Sequence, residues 1–127
     1  MAKQTLQLLP HEFTIHSFDS SAAIPSIIFQ SEVYFVGKTA EELSIVCISD
    51  IALDSLEQEP GWVALEVLGP LGFSLTGILS NISGVLARAN ISIFAISTFD
   101  TDYILVKGIE AKNAVNSLKK EGYNVRS

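Results

Sequence analysis

The sequence is poor in basic residues and in cysteine, and both shortages exclude classes of function. Lysine and arginine account for 8 of its 127 residues against 14 aspartates and glutamates, which gives a formal net charge of −6. Nucleic-acid binding and adsorption to anionic membranes both need clustered positive charge, so neither partner is expected. The single cysteine, Cys47, excludes a disulfide within the chain and is typical of a reducing compartment. We therefore expect a cytoplasmic protein.

Long hydrophobic runs are also lacking. The apolar runs have the length of a β-strand, far short of the roughly 20 residues that a membrane-spanning helix needs. Residues 1–10 contain no signal-peptide core, so no leader is expected. The chain is nevertheless 48% hydrophobic and 17% charged, enough to bury a substantial core. This composition predicts one compact domain or two very small ones.

Catalytic and metal-binding signatures are missing as well. His11, Glu12 and His16 resemble a zinc-protease motif, but the second histidine comes one position too late to share a helix face with the first. This segment reads as a strand, and we expect both histidines at the surface or in turns. Cys47 lies in an apolar stretch with no histidine in register, which favours a core cysteine over a nucleophile. We therefore expect neither an enzyme nor a bound metal or cofactor.

What the chain does contain is a faint internal repeat, with a register of sixty residues and no gaps. The matched positions agree mostly in hydrophobic class rather than in identity. They include Leu8/Leu68, Pro10/Pro70, Phe13/Phe73, Tyr34/Phe94, Val36/Ile96 and Val46/Val106. Such a repeat predicts two copies of one small βα unit, a degenerate N-terminal half over residues 1–60 and a well-formed C-terminal domain over residues 61–127.

The C-terminal half has clear periodicity. The predicted strands are Trp62–Leu68, Ile91–Ser97, Tyr103–Lys107 and Tyr123–Arg126, and the predicted helices run from Ser74 to about Ala89 and from Ala111 to Lys120. Ser74 is the expected N-cap of the first helix, Asn90 its left-handed end, and Gly122 the stop of the second helix. Ile91–Ser97 is apolar on both faces, which is typical of a central, doubly buried strand. The order predicts an α+β fold of the ferredoxin-like βαββαβ type.

The N-terminal half follows this order imperfectly. The predicted strands are Leu6–Leu9, Glu32–Val36 and Leu43–Ile48. Pro25 interrupts the first helix position and suits the first turn of a short helix that ends near Phe29. The second helix position, Ile51–Pro60, is short and acidic and is expected to double as the linker between the halves.

Two segments of the C-terminal half could carry chemistry. The first is the strand-to-helix turn, whose candidate ligand-binding residues are Leu71, Gly72, Phe73, Ser74 and Thr76. The first turn of a helix leaves backbone N–H groups without partners and carries partial positive charge, so a carboxylate or phosphate could be held there. The alternative is that Gly72 and Ser74 only turn the chain and cap the helix.

The second segment joins two predicted strands, and its candidate ligand-binding residues are Thr98, Asp100, Thr101 and Asp102. The two carboxylates lie two residues apart, on one side of an extended chain, and would suit an ammonium or another cationic group. The alternative is ordinary turn chemistry, since Asp and Thr are common in turns. An anion site and a cation site together predict a free α-amino acid as the ligand.

These residues resemble a known family. The segments Gly69–Leu79 and Ile91–Val106 are similar to the ACT domain, in particular to the tandem type of the animal cytosolic arginine sensor and of aspartate-kinase regulatory regions. The resemblance implies a βαββαβ fold, side-by-side pairing of ACT units, and an amino acid bound at the interface between units. It also implies that Leu71–Gly77 holds the carboxylate of the ligand and that Asp102 faces its amino group or side chain.

The predicted function is therefore a non-catalytic regulatory or sensor protein that binds an amino acid and associates as a homo-oligomer. The alternative is a protein-interaction or oligomerisation module without a ligand, whose exposed sheet edges pair with a partner. Binding measurements against the common amino acids would separate these two hypotheses.

Overall fold

The structure is a computed structural model that describes residues 3–68 and 77–127. These residues contain seven strands and two α-helices. The strands are β1 (Thr5–Phe18), β2 (Phe35–Lys38), β3 (Leu43–Ile48), β4 (Glu57–Leu68), β5 (Ile93–Ser97), β6 (Asp102–Lys107) and β7 (Asn124–Arg126), and the helices are α1 (Ile78–Arg88) and α2 (Ala111–Lys120). Short 3₁₀ helices cover Ser26–Gln30 and Gly108–Glu110. Within the described residues, neither α-helix is long and apolar enough to cross a membrane.

The chain divides into two compact units. The helical unit comprises residues 1–10 and 63–127, and the strand unit comprises residues 11–62. The boundaries fall within β1 and β4, so each of these strands contributes residues to both units. The interpretation of the chain as two copies, divided near residue 60, stays a prediction.

The helical unit contains the predicted order of strand, helix, strand, strand, helix and strand, from β4 to β7. Its strands lie in the order β7–β1–β4–β6–β5, with β1 and β7 parallel and β5 and β6 antiparallel. The pair Leu6 and Val125 brings β1 beside β7, so the last strand does not pair with β4 as it would in a plain βαββαβ sheet. Both helices share one core with this sheet, built around Leu65, Leu86 and Leu118.

The ends of the two helices follow local chemistry in most places. Asn90 has a φ of 60° and Gly122 a φ of 97°, so the left-handed end predicted at Asn90 and the stop predicted at Gly122 are both confirmed. The predicted start of the first helix at Ser74 is wrong, because α1 begins at Ile78. Gly77, directly before it, has a φ of 78°, a conformation that a continuous right-handed helix from Ser74 could not contain. Ser74 itself lies outside the described residues.

Strand β5 is not the central, doubly buried strand that its apolar sequence predicts. It lies at one end of the strand order, and Ile93 pairs with Val106 of β6 on its inner side. Phe94 and Ile96 are half-buried and Ala95 is exposed. Apolar residues on both faces therefore do not indicate a central strand here, because β5 is terminal in the strand order of the described residues.

The strand unit is built from β2, β3 and the parts of β1 and β4 that lie within residues 11–62, all of which the structure describes and which contain no α-helix. Strand β3 lies between β2 and β1, in antiparallel register with both. The 3₁₀ helix Ser26–Gln30 follows Pro25 directly, which confirms the short helix predicted there. A core of Phe18, Ile28, Leu43, Ile45 and Cys47 supports this unit. Cys47 is buried, as expected, and burial raises the pKa of its thiol.

His16 corrects a third expectation, because it lies in the interior rather than at the surface. Strand β1 continues to Phe18, well beyond the predicted Leu6–Leu9, and places His16 opposite Ile45 of β3. The side chain is 1% exposed, and its Nδ1 lies 2.9 Å from the hydroxyl of Ser55. Its Nε2 is buried and has no hydrogen-bond partner among the described residues. Burial lowers the pKa of His16.

Candidate functional site

The candidate site includes the turn that joins β5 to β6, and hydrogen bonds hold this turn in one shape. The Thr98 N–H donates to the carbonyl of Thr101 at 2.8 Å, and the Thr98 hydroxyl donates to the same carbonyl at 3.0 Å. The Thr101 N–H donates in return to the Thr98 hydroxyl oxygen at 3.2 Å. Ser97 and Asp102 face each other as the last paired residues of the two strands. The Thr98 hydroxyl is thus a turn-forming group.

The Thr101 hydroxyl connects this turn to the end of β4. It donates a hydrogen bond to the main-chain carbonyl of Val67, a buried residue one position before Leu68. Leu68 is the last described residue before the strand-to-helix turn, so the β5–β6 turn lies beside the strand end from which that segment continues. The predicted site residues Leu71, Gly72, Phe73, Ser74 and Thr76 all fall outside the described residues.

The two predicted carboxylates differ in exposure. Asp100 lies at the exposed tip of the turn beside Phe99, whose side chain is 82% exposed. Asp102 is half-buried at the start of β6. The salt bridge seen between Arg88 and Glu121 involves neither Asp100 nor Asp102. The two carboxylates bring negative charge beside the end of β4, where it would attract a cationic group.

A further polar pair on β4 and β6 escaped the sequence reasoning. The Tyr103 hydroxyl donates to Glu66 Oε2 at 3.4 Å, and burial followed by the charge of Glu66 raises the pKa of Tyr103. Tyr103 follows Asp102 in the same strand, so the two side chains lie on opposite faces of the sheet. The signal available in the sequence was a single acid, Glu66, within the apolar run Trp62–Leu68.

The described residues do not form a metal site. No group of three or more His, Cys, Asp or Glu side chains within residues 3–68 and 77–127 could hold a metal ion. What the described part of the site offers is acceptor oxygens, from the carboxylates of Asp100 and Asp102, beside a strand end. Such a set can hydrogen-bond an ammonium group.

Comparison with known proteins places this geometry in context. A family model described as the ACT domain matches residues 57–120, and a second model, described as an N-terminal domain, matches residues 11–55. The human cytosolic arginine sensor for mTORC1 subunit 1 is 42% identical over 77 residues, which are 58% of this chain and 23% of that protein. The corresponding rat protein is 37% identical over 73 residues. The chain thus spans about a quarter of the length of the curated relatives that it matches.

Solved structures extend the comparison over almost the whole chain. Protein Atu0741 from Agobacterium tumefaciens superposes with a TM-score of 0.90 at 31% identity, and the match covers 98% of this chain and 93% of that one. The regulatory subunit of aspartate kinase from Thermus thermophilus superposes with a TM-score of 0.67 over 94% of this chain and 98% of that one. At 12% identity, this second likeness is one of fold alone.

Proposed function

Because the chain belongs to the ACT domain family, we propose that it is a non-catalytic regulatory protein that binds a free amino acid. One relative is named for sensing arginine in the cytosol, and one solved structure of similar fold is the regulatory subunit of aspartate kinase. The first name supports a sensing role and a cytoplasmic location for this chain, and the second supports a regulatory role.

The proposed site uses opposite charges for the two ends of the ligand. The backbone amides of Leu71, Gly72, Phe73, Ser74 and Thr76 would receive the carboxylate. Asp102 would receive the ammonium group, and Asp100, Thr98 and Thr101 would line the same side of the ligand. The hydrogen bond from Thr101 to the carbonyl of Val67 is the observation that carries this proposal, because it fixes the acidic turn beside the strand end that continues into residues 69–76.

A ligand of this kind would regulate by shifting a population of conformations. It must bind one arrangement of the protein more tightly than another, because equal affinity shifts nothing. An amino acid of about nine heavy atoms has a ceiling near −1.5 kcal/mol per atom and usually reaches much less, so affinities between about micromolar and millimolar are expected. That range is suited to following a metabolite pool.

Calorimetry with each of the common amino acids tests the proposal directly. We expect saturable binding of at least one of them. The Asp102→Asn variant should bind that ligand at least about tenfold more weakly, because losing a hydrogen bond to a charged group costs roughly 1.5–3 kcal/mol. Asp50→Asn is the matched control, since it removes one exposed carboxylate from the strand unit. Equal affinity in both variants would remove Asp102 from the site.

Self-association is the second candidate role, and the position of β5 favours it. This strand is terminal in the strand order of the described residues and carries apolar side chains on both faces. A strand of this kind can add to the same strand of a second copy. Sedimentation velocity over a range of concentrations would detect such a homo-oligomer. If the protein self-associates and no amino acid binds, the chain is an oligomerisation module rather than a sensor.

A further inference from the structure

A polar groove of about 490 Å³ lies along helix α1 in the helical unit, and its described lining includes no residue of the β5–β6 turn. Ser80, Gly84 and Arg88 line it at intervals of four residues, which places them on one face of the helix, and Asn81 lies beside them. The buried residues Ile82 and Leu86 point instead into the core. The helix therefore presents a polar face to this groove, and the residues Ser80, Gly84 and Arg88 on that face do not belong to the core.

Gly84 gives the groove its depth. A Cβ atom built at this position would lie 3.4 Å from Nη1 of Arg88, so the guanidinium folds over the glycine. A glycine inside a helix is unfavourable relative to alanine. Here it leaves space beside the guanidinium that a larger side chain would fill.

Besides Arg88, the groove is lined by a second basic side chain, Lys3, and by one carboxylate, Glu121. The Lys3 Nζ lies 4.9 Å from the centre of the Tyr123 ring, a cation–π contact that keeps the ammonium beside the groove. Arg88 Nη2 lies 3.8 Å from Glu121 Oε1, with both side chains well exposed. An exposed pair at this distance is weak, so the guanidinium keeps donors for another acceptor. Burial and the charge of Glu121 raise the pKa of Tyr123, which therefore stays neutral.

These groups give the groove a net positive charge on an acidic chain. Two of the eight lysines and arginines line it against the single carboxylate of Glu121. We propose that the groove binds a small metabolite through a carboxylate or phosphate group, held between the guanidinium of Arg88 and the ammonium of Lys3. The oxyanion replaces Glu121 as the acceptor for Arg88, because a guanidinium can donate two parallel hydrogen bonds to it. Ser80 and Asn81 offer a hydroxyl and an amide to the remainder of the molecule.

Nuclear magnetic resonance titration of the full chain tests this site. Inorganic phosphate and succinate are added separately at constant ionic strength, with chloride as the reference. We expect saturable shifts at the backbone amides of Ser80, Asn81 and Gly84 with at least one of the two anions. Saturation by phosphate alone identifies a phosphate-bearing ligand, by succinate alone a carboxylate ligand, and by both a general oxyanion site. Shifts that drift linearly with both anions would overturn the proposal.

Three variants separate the groove from non-specific charge effects. Arg88→Gln should weaken binding at least about fivefold. Gly84→Leu should abolish it while leaving both cations in place, because the leucine occupies the space beside the guanidinium. Lys112→Gln removes an exposed lysine of α2 outside the groove and should leave binding unchanged. Binding that survives Gly84→Leu, or that falls equally in Lys112→Gln, would contradict the assignment.

The same variants keep this proposal distinct from the amino-acid site. Arg88→Gln should leave amino-acid binding unaltered, since Arg88 lies outside the β5–β6 turn. Asp102→Asn should leave anion titration unaltered for the same reason. If Arg88→Gln weakens anion binding alone, the groove is correctly placed. If Asp102→Asn weakens amino-acid binding alone, the amino-acid site is correctly placed.

Discussion

Replacing Thr101 by valine removes one hydroxyl and keeps the branched shape of the side chain. In the native protein that hydroxyl donates to the carbonyl of Val67, a residue with no exposed surface. A lost hydrogen bond costs roughly 0.5–1.5 kcal/mol, and a buried acceptor left unsatisfied costs roughly 1–3 kcal/mol. We therefore expect Thr101→Val to lower the free energy of unfolding by about 1–2 kcal/mol.

Urea denaturation followed by circular dichroism measures this loss, and a thermal melt checks it. For a chain of this length, about 1 kcal/mol corresponds to a decrease in Tm of roughly 3–5 °C. Thr101→Ser is the matched control, because it keeps the hydroxyl and should stay close to the native protein. Thr101→Val should also weaken amino-acid binding, since the turn is no longer fixed to β4. If Thr101→Val unfolds at the native urea concentration, the hydroxyl does not hold the turn in place.

Three further predictions concern other parts of the molecule. Because burial lowers the pKa of His16, the unfolded chain protonates this histidine at a higher pH than the folded chain does. The contribution of His16 to the free energy of unfolding should therefore be constant above about pH 6.5 and decline below it. In urea titrations at a series of pH values, this decline should be absent from His16→Gln and present in His11→Gln. Gly84→Ala should raise the free energy of unfolding by about 0.5–1 kcal/mol, and an unchanged urea midpoint would contradict this. Leu118→Ala, at a fully buried position, should cost about 2–5 kcal/mol, whereas Ile109→Ala, at 91% exposure, should stay within about 0.5 kcal/mol in the same assay.

The elements that the sequence predicts well depend on neighbouring residues alone. Helix α2 ends where its last-turn lysines and Gly122 indicate, and Asn90 ends α1 through its own tolerance of positive φ. The βαββαβ order and the resemblance to the ACT domain are confirmed for the same reason, since both rest on continuous segments with strong periodicity.

The features that were missed depend on partners distant in sequence. Nothing near His16 in the sequence indicates burial, because its neighbour in the sheet is Ile45 of β3, which is distant in sequence. The edge position of β5 likewise depends on which strand lies beyond β6, a matter of topology that apolar composition does not encode. Of the candidate ligand-binding residues, Thr98, Asp100 and Thr101 lie in one turn and Asp102 directly follows it, and the binding role of all nine candidates stays a prediction.

The pairing of Leu6 with Val125 has a consequence for synthesis of the protein. These residues are separated by 125 − 6 = 119 positions, so the first residues of β1 leave the ribosome long before β7 is synthesised. During that interval the strand has an open edge that other nascent chains can join, which exposes it to misassembly. A chaperone that shields this edge until translation reaches Val125 would raise the yield of folded protein, and slower elongation before Val125 would lower it.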